Sequence, residues 1–176
     1  MKKILLLVTM AAIAFVMVAC VLSFFEAAFP LWSVRGIKSG WFLCDPVGAG
    51  MLGAKTPFDK VGKTITVIST VTDGARVDWS IYAVVIIAYV AAVAVPLTGL
   101  VSIILLLVRK KLGKNNLGDG IGMVFLPILL MIFSGGKIWK NAGVAPGPLL
   151  PILLICGVAV VVCTALSLVN KEKRKS

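Results

Sequence analysis

Side chains that could carry catalysis or bind a metal are sparse along these 176 residues. Histidine, the commonest general base and metal ligand, is absent. The four cysteines form no CxxC pair, which argues against a zinc site or a thiol oxidoreductase. No phosphate-binding glycine loop, HExxH motif or pair of acids at catalytic spacing occurs. We therefore expect a protein that is not an enzyme and that uses no metal or cofactor.

Two of the seven acidic residues are candidates for a role in or beside an apolar segment. Glu26 lies four residues before Pro30, near the end of the first such segment, and is the one ionisable residue that we assign to a span. It is either an ion-pair partner at the headgroup level or a proton or cation site. Asp119 lies just before the third apolar segment, where a role as helix N-cap accounts for it.

Polar residues inside the apolar segments are few, and two of them are spaced so that they share one face of a helix. Thr98 and Ser102 are four residues apart, beyond Pro96, so a helix would place both on one face. They are the best candidates in this sequence for the lining of a pore.

The elements that must position these residues are long enough to cross a membrane. The chain is 60% hydrophobic and 14% charged, whereas soluble domains average about 45–50% and about 25%. Four segments reach the length that a hydrocarbon layer of roughly 30 Å requires: 1–29, 79–108, 120–136 and 148–169. The first stays apolar well past Cys20, so we expect a retained span and not a cleaved signal. The predicted fold is an all-α membrane protein with a bundle of four transmembrane helices.

Lysine and arginine predict the orientation of this bundle. They are densest at the N-terminus, in the connector 109–119 and in the tail 170–176. Basic loops stay on the cytoplasmic side. We therefore expect both termini on the cytoplasmic side of the plasma membrane and the loops 30–78 and 137–147 on its outer side. The net charge of +11 does not predict nucleic-acid binding, because no basic face interleaved with aromatics occurs. The connector cations are expected to contact anionic lipid headgroups: Arg109, Lys110, Lys111 and Lys114.

The first outer loop, 30–78, has the composition of a small β-rich domain. Residues 63–72 are β-branched almost throughout, and residues 31–35 alternate between apolar and polar. The aromatic-rich run 40–44 is expected to pair with 31–35. Such a small sheet needs support from the helices or from a partner.

Aromatic residues of this loop are the candidates for partner binding. Trp32 and Trp41 lie near the outer membrane boundary, where they form either an interfacial belt or, with Phe42 and Cys44, a recognition surface for a neighbouring subunit.

The topology and the loop residues together resemble the claudin and peripheral-myelin-protein-22 type of tetraspan. Trp32 and the run Trp41-x-x-Cys44 match part of that family's Trp…Gly-Leu-Trp-x-x-Cys pattern. The interval between the two tryptophans is shorter here, and the second cysteine of the family is missing, so its disulfide cannot form within this chain. The resemblance implies lateral association with other membrane proteins and no catalysis.

Two functions follow from these observations. The first is a non-catalytic tetraspan that scaffolds or completes a membrane assembly through lateral self-association or through other membrane-protein subunits. The alternative is a homo-oligomeric pore or transport protein, in which Glu26, Thr98 and Ser102 would serve the conducted species.

Overall fold

Four long helices dominate the computed structural model, which describes residues 2–25, 28–34, 37–39, 79–134 and 144–172. These helices are α1 (Lys2–Phe24), α2 (Trp79–Arg109), α3 (Lys114–Ser134) and α4 (Leu149–Glu172). Each contains a stretch that is long and apolar enough to cross a membrane. The chain is a four-span, multi-pass membrane protein.

The helices close a ring in chain order. α1 packs against α2 and α4, and α3 packs against the same two neighbours. The α3–α4 contact is the most extensive of the four, and the α2–α3 contact is the least extensive. The centre of the bundle is filled by fully buried aliphatic side chains, among them Ile13, Val16, Leu130, Leu153 and Val160.

The outer faces of the same helices are also apolar. Ile155 on α4 is 69% exposed and Ile132 on α3 is 67% exposed, and similar side chains cover the outside of α1 and α2. In water, this much contiguous apolar surface would drive aggregation. Hydrocarbon is the solvent in which such faces are stable.

A small antiparallel sheet caps one end of the bundle. Its strands are β1 (Trp32–Val34), β2 (Ile37–Ser39) and β3 (Val144–Pro146), in the order β2-β1-β3. Trp32 pairs with Ser39 on one side and with Pro146 on the other. Proline has no backbone N–H to donate, and β3 tolerates it at the end of the sheet order. Because β1 follows α1 and β3 precedes α4, the sheet fastens these two helices together.

Gly147 makes the junction between sheet and bundle possible. Its N–H donates to the carbonyl oxygen of Leu31 at 2.7 Å. A Cβ atom at position 147 would overlap the carbonyl oxygen of Pro30 and lie 2.8 Å from the carbonyl carbon of Leu31. Only glycine permits this backbone approach.

Two helix bounds differ from those expected from the sequence. α1 ends at Phe24, not at residue 29, because the chain turns before Pro30 and Phe29 adopts a left-handed conformation (φ 50°). α3 begins at Lys114, about six residues earlier than expected. The reason lies in its cap: Asn116 Oδ1 accepts a hydrogen bond from the Gly113 N–H at 3.1 Å, as the third residue of a capping box does.

Within the described residues, β1 pairs with β2 along one edge and with β3 along the other. The run 40–44, which was expected to pair with 31–35, and the strand expected over 63–72 lie outside the described residues.

Candidate functional site

A groove of about 480 Å³ runs between α2 and α3, where the ring of helices has its least extensive contact. Its walls are mostly aliphatic, with Ile86 and Val90 on α2 and Leu126 on α3. In hydrocarbon, an apolar groove of this kind accommodates either a lipid chain or a helix.

Two glycines of α3 lie in this groove with open space in front of them. Gly118 and Gly122 are four residues apart, so they share one face of the helix, and no heavy atom of the described residues lies within 4 Å of a Cβ built on either. Their spacing is that of the GxxxG contact between transmembrane helices. Gly120 behaves differently, because a Cβ there would lie 2.9 Å from Val161 Cγ2 on α4.

A carboxylate and a hydroxyl join α2 to α3 beside the groove. Ser102 Oγ donates a hydrogen bond to Asp119 Oδ2. Ser102 is only 5% exposed, and Asp119, which lines the groove, is half-buried. Asp119 is therefore not the N-cap predicted from the sequence, because α3 begins five residues earlier and carries it in its second turn.

The predicted pore candidate Thr98 lies on the same side of α2 and lines the groove. Its Oγ1 donates to the carbonyl oxygen of Ala94, one turn back, at 2.8 Å. That bond satisfies the hydroxyl within its own helix and allows it to face an apolar medium. The structure thus brings Thr98, Ser102 and Asp119 together along the α2–α3 contact. Sequence reasoning missed Asp119 as a member of a span, although Asn116 placed three residues after Gly113 was a usable sign of an earlier helix start.

The predicted partner-binding residues are placed only in part. Trp32 is 1% exposed, so its side chain belongs to the core under the sheet and offers no exposed surface to a subunit. It belongs to the same cluster of buried residues as Leu31 and Leu149. The other predicted partner-binding residues, Trp41, Phe42 and Cys44, lie outside the described residues, and so does Glu26, the candidate ion site of the first span.

The predicted headgroup residues lie together where α2 ends and α3 begins. Arg109 is the last residue of α2, Lys110 and Lys111 follow it, and Lys114 is the first residue of α3. All four are exposed. Within the described ranges, no group of three or more His, Cys, Asp or Glu side chains is placed to hold a metal ion.

Comparison with protein-family models, with curated proteins and with solved structures finds no match for this chain. The four long apolar helices are those of a tetraspan membrane protein, and no family is assigned to it.

Proposed function

We propose that this protein is a non-catalytic tetraspan that scaffolds or completes a membrane assembly through lateral association. The surface that carries the proposal is the α2–α3 groove, and its occupant is α3 of a second copy of the chain. This is the kind of lateral partnership that the resemblance to claudin-like tetraspans implies.

The observation behind this proposal is the unequal use of glycine. Gly120 on α3 and Gly157 on α4 face atoms less than 3 Å from a Cβ, so they serve the packing of the bundle itself. A Cβ at Gly118 or Gly122 would meet no atom of the described part of the chain within 4 Å. Association of helices in lipid depends on close backbone approach, and small residues at this spacing allow it.

A second copy fits the groove better than an arbitrary helix. Copies of one chain have the same orientation in the membrane, so their α3 helices run parallel when a two-fold axis lies along the membrane normal. The same glycine face then meets itself, as in an isologous dimer. Parallel alignment is also the geometry of the GxxxG contact.

The test is the association of full-length protein in lipid vesicles, measured by energy transfer between donor-labelled and acceptor-labelled copies. Gly118→Leu and Gly122→Leu fill the open face and should weaken association at least about tenfold, which corresponds to about 1.4 kcal/mol. Ala165→Leu is the matched control, because Ala165 is an exposed small residue on α4, away from the groove. It should leave association unchanged.

Two results would contradict the proposal. One is a wild-type chain that stays monomeric in crowded vesicles and comes from its own membrane without other subunits. The other is unchanged association of both glycine variants. If the protein is extracted as a complex with different chains, the scaffold function is supported, but the partner in the groove is another protein and not a second copy.

A homo-oligomeric pore or transport protein is the second candidate, and the polar cluster favours it. Thr98 and Asp119 line the groove, and Ser102 is bonded to Asp119. If copies meet at this groove, these oxygen atoms converge between them. Ion flux through reconstituted vesicles separates the two functions. If the protein is a pore, Thr98→Val and Ser102→Ala should alter the flux. If the wild-type protein conducts no ions, the pore function is excluded and the scaffold function is retained.

We further propose that the basic end of the bundle faces the cytoplasm and that the sheet end lies outside the plasma membrane. The start of α1, the end of α2, the start of α3 and the end of α4 share the basic end. An impermeant thiol reagent should label Cys44 in intact cells, whereas a cysteine introduced by Lys111→Cys should react only after permeabilisation. The opposite pattern would invert the orientation, and Lys111→Cys decides the matter even where Cys44 does not react.

A further inference from the structure

A second cavity, of about 380 Å³, lies at the basic end of the bundle. The end of α2, the connector and the start of α3 form most of it, and Lys171 of α4 closes one side. Its apolar lining comes from Leu105, Leu106 and Leu112. Leu105 and Leu106 belong to the last turns of α2 and Leu112 to the connector, so the apolar surface of the spans extends into the pocket.

The charge of this pocket is one-sided. Among the described residues, ten line it, of which four are cationic and none is acidic. The cations come from three helices and the connector, with Arg109 on α2, Lys111 in the connector, Lys114 on α3 and Lys171 on α4. The first turn of α3 adds the positive end of a helix dipole. Several cations gathered around one cavity favour an anion inside it.

The connector that forms the pocket is held by its own hydrogen bonds. Lys110 adopts a left-handed conformation (φ 49°), and its N–H donates to the Leu106 carbonyl oxygen at 2.8 Å, which ends α2. Gly113 and Asn116 then exchange two hydrogen bonds, each 3.1 Å long, which start α3. Asn116 is only 6% exposed. Lys110, unlike its neighbours Arg109 and Lys111, does not line the pocket.

We infer that this pocket binds the phosphate-bearing headgroup of an anionic phospholipid. The four cations match the phosphate, and the pocket lies where the spans end, which is the level of the headgroups. The leucines offer contact to the glycerol and the first methylene groups, which a soluble phosphate ion lacks. This site extends the headgroup contact expected from the sequence, because it recruits Lys171 and leaves Lys110 out. It does not depend on the proposed lateral association.

The experiment titrates purified full-length protein in an uncharged detergent with phosphatidylglycerol or with phosphatidylcholine of the same acyl chains. Native mass spectrometry counts the lipids that are bound. The first phosphatidylglycerol should bind at least about tenfold more tightly than phosphatidylcholine. Lys171→Gln and Lys114→Gln should each weaken it about fivefold, the factor expected for one basic residue beside an anionic headgroup. Lys110→Gln removes the same charge from outside the pocket and should change the affinity by less than about twofold.

Three outcomes would overturn this assignment. Equal affinity for the two lipids would show that the pocket does not select an anion. An equal loss with Lys110→Gln and Lys171→Gln would show attraction to diffuse charge and no defined site. Inorganic phosphate that binds without lipid and displaces phosphatidylglycerol at comparable concentration would make a soluble anion the ligand. Oligomeric state is read in the same spectra, so a failure of lateral association is recorded separately.

Discussion

The two sides of α3 show how one residue type can close an interface and leave another open. Toward α4, Gly120 and its counterpart Gly157 allow the most extensive helix contact in the bundle. Toward α2, Gly118 and Gly122 face a groove, and the only polar link described there is the bond from Ser102 to Asp119. Composition does not distinguish these sides. The distance from a Cβ placed on each glycine to its nearest described atom distinguishes them. A short distance marks packing within the chain, and a long one marks a surface available to another molecule.

The largest effect on this comparison should come from Gly157→Ala. The added Cβ would lie 2.9 Å from both Met123 Cβ and the backbone nitrogen of Val124, so the two helices must separate. We expect a loss of about 1–3 kcal/mol in the free energy of unfolding. Titration with sodium dodecyl sulfate, followed by helicity and near-ultraviolet dichroism, measures it. An unchanged midpoint would show that the α3–α4 contact is looser than described.

Ser102→Ala should have an intermediate effect. It removes the hydrogen bond that joins α2 to α3, and such bonds in membrane proteins contribute about 0.6 kcal/mol on average and at most about 1.7 kcal/mol. The free energy of unfolding should fall by an amount in this range. Thr98→Val is the matched control, because the Thr98 hydroxyl bonds only within its own helix and its loss should cost less.

A double-mutant cycle sharpens this prediction. If Ser102 and Asp119 act as a pair, Asp119→Ala should cost less in the Ser102→Ala background than in the wild type. Additive losses would mean that the two side chains contribute to stability independently.

The smallest effect should come from Gly122→Ala, measured in dilute micelles where the chain is monomeric. No atom of the residues that the structure describes lies within 4 Å of the new methyl group, and alanine is the better helix former. The free energy of unfolding should change by less than about 0.5 kcal/mol, toward greater stability. A loss as large as that of Gly157→Ala would show that this chain itself fills the groove.

The spans were predictable because the length of an apolar segment can be read directly from consecutive residues of the sequence. The start of α3 was missed for a local reason as well: Asp119 between two glycines has the composition of a cap, whereas the actual cap is the exchange between Gly113 and Asn116. Asp119 therefore lies within α3, where it accepts a hydrogen bond from Ser102, a residue seventeen positions earlier in the chain.

The sheet was predictable only in part. A strand near Trp32 follows from alternation, but its partner β3 is three residues long, ends in proline and pairs with β1 over separations of 110 to 114 residues. No local pattern reports such a pairing. Nor does a local pattern indicate that Trp32 joins the buried core, so the sequence predicts it at the membrane boundary or on a recognition surface.

The pairing of β1 with β3 also sets an order of events during synthesis. β1 leaves the ribosome soon after α1, but its second edge stays open until residues 144–146 emerge. α4, the neighbour with which α1 has its more extensive contact, follows only then. Although α1 is synthesised before the other three helices described, it is thus among the last of them to be fully packed. A chain halted after α3 would present an unfinished strand and an uncovered helix face to the quality-control proteases of the cell.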